Sequence, residues 1–173
     1  MKYIKRGTKA QLELSFGMIV SIILIIIFIS FSFYAIKKFL SLGDSTVIAK
    51  FKENLQNDVN RLWQGSQGVW SPASGYALPK AIEYVCFVDF SKDAKGNKKD
   101  FYIKLKQVYF GGSENLVFYP VGSGEGLDAL TITHLDIEKI TSVNNPYCIE
   151  NKNGKVKLTI KKEFGENLIT ITG

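Results

Sequence analysis

Two cysteines, one histidine and a glutamate at the mouth of an apolar run are the residues whose chemistry could go beyond packing. Cys86 lies in "YVCFVDF" and Cys148 in "PYCIEN", far from the spacing of a C-x-x-C motif. Outside the cell such a pair points to a disulfide, which would close a loop of roughly 60 residues and contribute about 3–4 kcal/mol in the chain-entropy model. Inside the cell the two would remain buried thiols. His134 and Asp136 stand two apart and would share one face of a strand. Two possible ligands make no firm metal site, and no Ser-His-Asp or Cys-His arrangement follows from the spacing. "GSGEG", ending at Gly126, lacks the G-x-G-x-x-G order, no clear helix follows it, and Glu125 would repel phosphate. "DFSKDAKGNKKD" does not have the ligand order of an EF-hand. Both read as turns or solvated loops. The expectation is therefore no catalytic residue, no cofactor and no metal.

Glu13 is a different case. It precedes an uncharged run of 23 residues, Leu14 to Ile36, and Gln11 lies two positions before it. As a helix the run would span about 35 Å, against a bilayer core of roughly 30 Å. That exceeds the apolar region of a cleaved secretory signal, about 7–15 residues, and no Ala-x-Ala ending closes it. The run is read as a helix that stays in the chain and in the lipid. Lys2, Lys5, Arg6 and Lys9 precede it, and Lys37 and Lys38 follow. The positive-inside rule then places the N-terminus in the cytoplasm and the rest outside the cell. Ser21, Ser30 and Ser32 could help such helices associate, or bond to their own backbone carbonyls.

The elements that must position these residues follow from periodicity. The net charge is +6, but from Asp44 onward there are 16 basic and 15 acidic residues, a net of +1. The positive excess flanks the apolar run, so nucleic acid is not an expected partner and membrane lipid is. "LGDSTVIAKFKENLQNDVNRLWQG" places Val47, Ile48, Phe51, Leu55, Val59, Leu62 and Trp63 on one helical stripe. Lys50, Lys52, Glu53, Asn54, Asn57, Asp58 and Arg61 lie on the other face, with Asp44 or Ser45 as the N-cap. After "GSQGVWSPASGYALP" the pattern turns to β. "AIEYVCFVDF", "DFYIKLKQVYF", "ENLVFYPV", "ALTITHLDI", "YCIENKNGKVKLTIKKEF" and "ENLITIT" give six or seven strands, and Asn153–Gly154 marks a tight hairpin. The fold class expected is α+β: a long N-terminal helix, with a kink permitted near Gly43, packed on an antiparallel sheet. The divisions are a basic cytoplasmic leader (1–10), a transmembrane helix (11–38), an amphipathic helix (39–65) and an external β domain (66–173).

A short basic leader, the Lys9-Ala10-Gln11 junction, Glu13 soon after it, a long apolar helix and a β-rich head together resemble type IV pilins. The likeness is closest in style to archaeal pilins and archaellins with class III signal sequences. It covers roughly the first 40 residues, and beyond them only the helix-then-sheet layout agrees. The layout also looks like uncharacterised single-pass proteins of small-genome archaea, a resemblance that implies no biochemical activity. The pilin resemblance implies a prepilin-type peptidase as partner, with a cut between Ala10 and Gln11 or, alternatively, after Gly7. It implies a homo-oligomer assembled through the apolar helix, with Glu13 meeting the new amino group of Gln11 on a neighbour. The family commonly places its acid fifth in the mature chain, whereas Glu13 would be third or sixth. The other reading of Glu13 is an interfacial carboxylate solvated by headgroups and water.

Overall fold

The computed structural model describes residues 16–109 and 112–173. The chain divides into two units, Met1–Leu40 and Ser41–Gly173. Helix α1 runs Phe16–Gln64. The described residues of the first unit all belong to it, and they are exposed on every face. Within the second unit the same helix becomes one-sided, burying Ile48, Phe51, Leu55 and Val59. These are four of the seven residues of the expected stripe; Leu62 is only partly buried and Trp63 is exposed.

The helix does not start afresh after Gly43, which corrects the expected N-cap. Ser45 donates its hydroxyl back to the Ser41 carbonyl and Thr46 to that of Leu42, both at 2.9 Å. Hydroxyls satisfied on the preceding turn are compatible with helix interior and free no capping group. A Cβ at Gly43 would meet nothing within 4 Å, so the glycine makes room for no neighbour.

The second unit holds nine strands among the described residues: β1 (Gly68–Trp70), β2 (Tyr76–Ala77), β3 (Tyr84–Phe87), β4 (Leu116–Tyr119), β5 (Ala129–Leu130), β6 (Tyr147–Lys152), β7 (Lys155–Val156), β8 (Thr159–Lys162) and β9 (Thr170–Thr172). They form a three-stranded sheet, β1-β8-β9, and a six-stranded one, β2-β7-β6-β3-β4-β5. Every strand pairing is antiparallel, as expected. Asn153 and Gly154 both take positive φ, 55° and 80°, and join β6 to β7 as the anticipated hairpin.

One stretch expected as a strand is helical, and another is a strand only at its start. "DFYIKLKQVYF" forms most of α2, Lys99–Val108, entered through a 3-10 turn at Gly96–Lys98. Its buried residues, Tyr102 and Leu105, are three apart, the helical alternative to its equally visible period of two. Both neighbours of β3 are already taken, by β4 and β6. In "ALTITHLDI" only β5 joins a sheet; the chain then turns, with His134 at φ 65°, Leu135 makes an isolated parallel bridge to Ile169, and the short helix α3, Ile137–Ile140, follows. Asp136 caps α3 by accepting from the Lys139 amide.

Strand alternation sends the central strands' side chains to two different cores. Val85, Phe87, Leu116 and Phe118 pack with the buried stripe of α1. Cys86, Val88 and Val117 pack with Tyr102 and Leu105 of α2. The six-stranded sheet is thus covered on both faces, each large side chain so buried contributing about 1.5–3 kcal/mol.

Candidate functional site

Ala10, Gln11 and Glu13 lie outside the described residues. The structure joins Cys86 to Cys148 in a disulfide. The two are directly opposite one another in the β3–β6 register, on the face that α2 covers. No group of three or more His, Cys, Asp or Glu residues able to hold a metal occurs among the described residues.

The most extensive unusual surface is apolar. From Phe16 to Ile36 the large side chains of α1 are exposed, among them Ile25, Phe28, Phe33 and Ile36, and Phe39, Leu40 and Leu42 continue this character. This helix is long and apolar enough to cross a membrane. Its serines are satisfied internally. Ser21, Ser30 and Ser32 donate to the carbonyls of Gly17, Ile26 and Phe28 at 2.8, 2.8 and 2.7 Å. Of the two roles open to them from sequence, the bond to the helix's own backbone is the one the structure contains.

In the second unit, polar side chains on α1 clamp the segments around it. Asp58 accepts from the Tyr76 hydroxyl (2.6 Å), the Trp70 indole N–H (3.0 Å) and Arg61 (2.8 Å). The Arg61 guanidinium lies 4.3 Å from the centre of the Trp70 ring. Burial, reinforced by the hydrogen bond to Asp58 and by its charge, holds the Tyr76 phenol well above its ordinary range. This cluster ties helix to strands and was not legible from sequence, where Asp58 belongs to a solvated face.

His134 and Asp136 do not share a strand face. The His134 ring stacks on Trp63 with centroids 3.8 Å apart, and its Nδ1 lies 3.1 Å from Asn60 Oδ1. Gln56 accepts from the Thr133 amide at 2.9 Å, so this histidine belongs to a contact between helix and loop. Glu125, in the glycine-rich turn, accepts from the Ser41 hydroxyl at 2.6 Å. The "DFSKDAKGNKKD" loop is organised by a buried Asn145, which accepts from the Asp89 amide and donates to the carbonyls of Asp89 and Asp93.

One groove in this unit combines size with charge. Its volume is about 690 Å³, and Tyr147, Cys148, Ile149, Lys152, Lys155 and Lys157 are among its lining residues. Lys152 and Lys155 face each other in the β6–β7 register. Sequence carries the signal for this pair, since a two-residue turn at Asn153–Gly154 brings its flanking lysines opposite one another. No known protein family matches this chain, and neither does any curated protein or solved structure.

Proposed function

We propose that the chain is a membrane-anchored, pilin-like structural subunit whose β domain lies outside the cell and works by assembly and surface contact, without catalysis. The observation that carries this reading is the contrast along α1. From Phe16 to Ile36 it is uncharged, predominantly apolar and exposed on every face, while Ile48, Phe51, Leu55 and Val59 are buried in the β domain. An all-round apolar helix needs lipid or like helices around it, since water would face several hundred Å² of hydrocarbon. The N-terminal lysines and arginine favour a cytoplasmic leader, and the Cys86–Cys148 disulfide suits an oxidising exterior. On this reading the partners are membrane lipid, a prepilin-type peptidase and further copies of the chain.

A second reading is an uncleaved single-pass anchor that presents the β domain as a binding module. The place of Glu13, third or sixth from the two candidate cuts, favours it. Mass spectrometry of the native protein separates the two. A mature N-terminus at Gln11 or Thr8 supports the pilin-like subunit, and retained Met1 supports the anchor. Protease added to intact cells tests the topology: the β domain should be digested, and protection equal to that of a cytoplasmic control would overturn the external placement.

A further inference from the structure

We propose that the groove beside the β6–β7 hairpin is a binding site for an organic polyanion, with sulfate, phosphate or carboxylate groups carried on a ring-bearing frame. Four observations lead there. Its volume, about 690 Å³, falls within the range of small-ligand sites. Three lysines, Lys152, Lys155 and Lys157, line it, and Glu150 is its one acidic side chain. Lys152 and Lys155 are cross-strand partners, an arrangement in which like charges repel and destabilise the sheet. Glu150 offsets little of this, because it lies 3.6 Å from Lys152 in an exposed pair and reaches neither of the other lysines.

Among the described residues only a minority of the domain's lysines form ion pairs. Lys92 pairs with Glu138, Lys139 with Glu163 and Glu166, and Lys161 with Glu163. Among the described residues Lys155 and Lys157 have no ion pair, although both line the same groove. An anion placed between them would remove the repulsion, so the free energy of relieving it adds to the affinity. The rest of the lining determines what else the ligand must carry. Tyr147 offers aromatic surface and Ser74 a hydroxyl, while Ile149 is buried. A bare inorganic ion would leave that surface wet, whereas a sugar ring would cover it while its hydroxyls find partners. Two sources share this chemistry: a free small polyanion, and an acid-bearing stretch of a surface polysaccharide.

The test uses the full chain in non-ionic detergent, titrated calorimetrically with sucrose octasulfate, dextran sulfate, uncharged dextran and a single-stranded oligonucleotide. Both sulfated probes should bind, and added salt should weaken them. The double change Lys155→Gln with Lys157→Gln should lower affinity about tenfold, the effect of losing two partly exposed charge contacts. Arginine at both positions should restore binding to within about twofold, since the charge remains. Lys50→Gln with Lys52→Gln, on the exposed face of α1, should change nothing. Equal binding of both sulfated probes per site would identify a local acid cluster as sufficient, and binding of dextran sulfate alone would identify the polymer; either result sustains the site. The proposal is overturned if the Lys155/Lys157 change leaves binding intact or the Lys50/Lys52 change weakens it as much. It is also overturned if uncharged dextran binds as tightly or the oligonucleotide is preferred.

Discussion

At the scale of single residues, Asp58 shows how a polar side chain becomes structural. By periodicity it sits with Lys50, Lys52 and Arg61 on the outer face of a helix. In the fold, its carboxylate accepts from Tyr76, Trp70 and Arg61. A helical repeat reveals only Arg61, three residues on; Trp70 and Tyr76 arrive from strands 12 and 18 residues away. Tyr76→Phe should cost about 1.5–3 kcal/mol at neutral pH, the range for a hydrogen bond to a charged acceptor. It should also change the alkaline limb. The phenol's folded pKa is raised by burial and by Asp58 above its ordinary 10.0. The associated stability is therefore complete below pH 10 and lost as pH rises beyond it, where the unfolded chain ionises first. Urea unfolding at neutral pH and above pH 10 should show a shallower alkaline loss in Tyr76→Phe; an equal slope would mean that other groups set that limb. Glu163 carries the opposite sign. Hydrogen bonds from Lys161 first and Lys139 next hold its carboxyl below the ordinary 4.5. Its contribution is present above pH 4.5 and disappears as the pH falls through the folded value. Glu163→Gln should therefore flatten the acid limb of thermal stability below pH 4.5 while leaving the neutral region little changed. An unchanged acid limb would show that these exposed pairs are screened to insignificance.

At the scale of elements, long repeats and strong turn chemistry were legible and short ambiguous segments were not. The α1 stripe follows from apolar steps of three and four, and its central members are the buried ones. The Asn153–Gly154 hairpin follows from the preference of those residues for positive φ. The α2 segment reads either way, since Phe101, Ile103 and Leu105 alternate while Tyr102 and Leu105 keep helical spacing. What decided it was tertiary: β3 has both edges occupied, and its Cys86–Val88 face needs cover, which Tyr102 and Leu105 supply. The disulfide followed from cysteine usage and the expected external placement, but the direct pairing of its residues across β3 and β6 came only with the register. The charged groove was half legible: the hairpin predicts facing lysines, but the volume beside them depends on how Tyr147 and Ile149 lie. For the stripe itself, Leu55 is fully buried against the sheet. Leu55→Ala should lower the stability of the β domain by about 2–5 kcal/mol. Leu62→Ala, at a partly buried site, should cost less. Denaturant unfolding followed by tryptophan fluorescence measures both, and a loss below about 0.5 kcal/mol for Leu55 would mean that the helix contributes little to this core.

At the scale of the whole molecule, the division between a long apolar helical segment and a β domain was the most legible feature, because it rests on composition over dozens of residues. The charge at the anchor's edge bears on whether copies assemble. If the chain is cut before Gln11 and the apolar helices pack together, an ammonium and the Glu13 carboxylate meet at a low-dielectric boundary. Attraction there exceeds its value in water, and an unpaired charge is costly, so pairing would select one axial register. Glu13→Gln keeps nearly the same shape and removes the charge. It should leave membrane insertion and the β domain intact but reduce crosslinked oligomers in native membranes at matched expression. Glu13→Leu should do the same, because what is lost is a charge partner and not apolar area. An interfacial carboxylate bathed by headgroups predicts no effect from either change. Equal oligomer yields from wild type and both variants would assign Glu13 that solvated role. Its departure from the fifth mature position would then count against pilin-type assembly and for an anchor that presents the β domain alone.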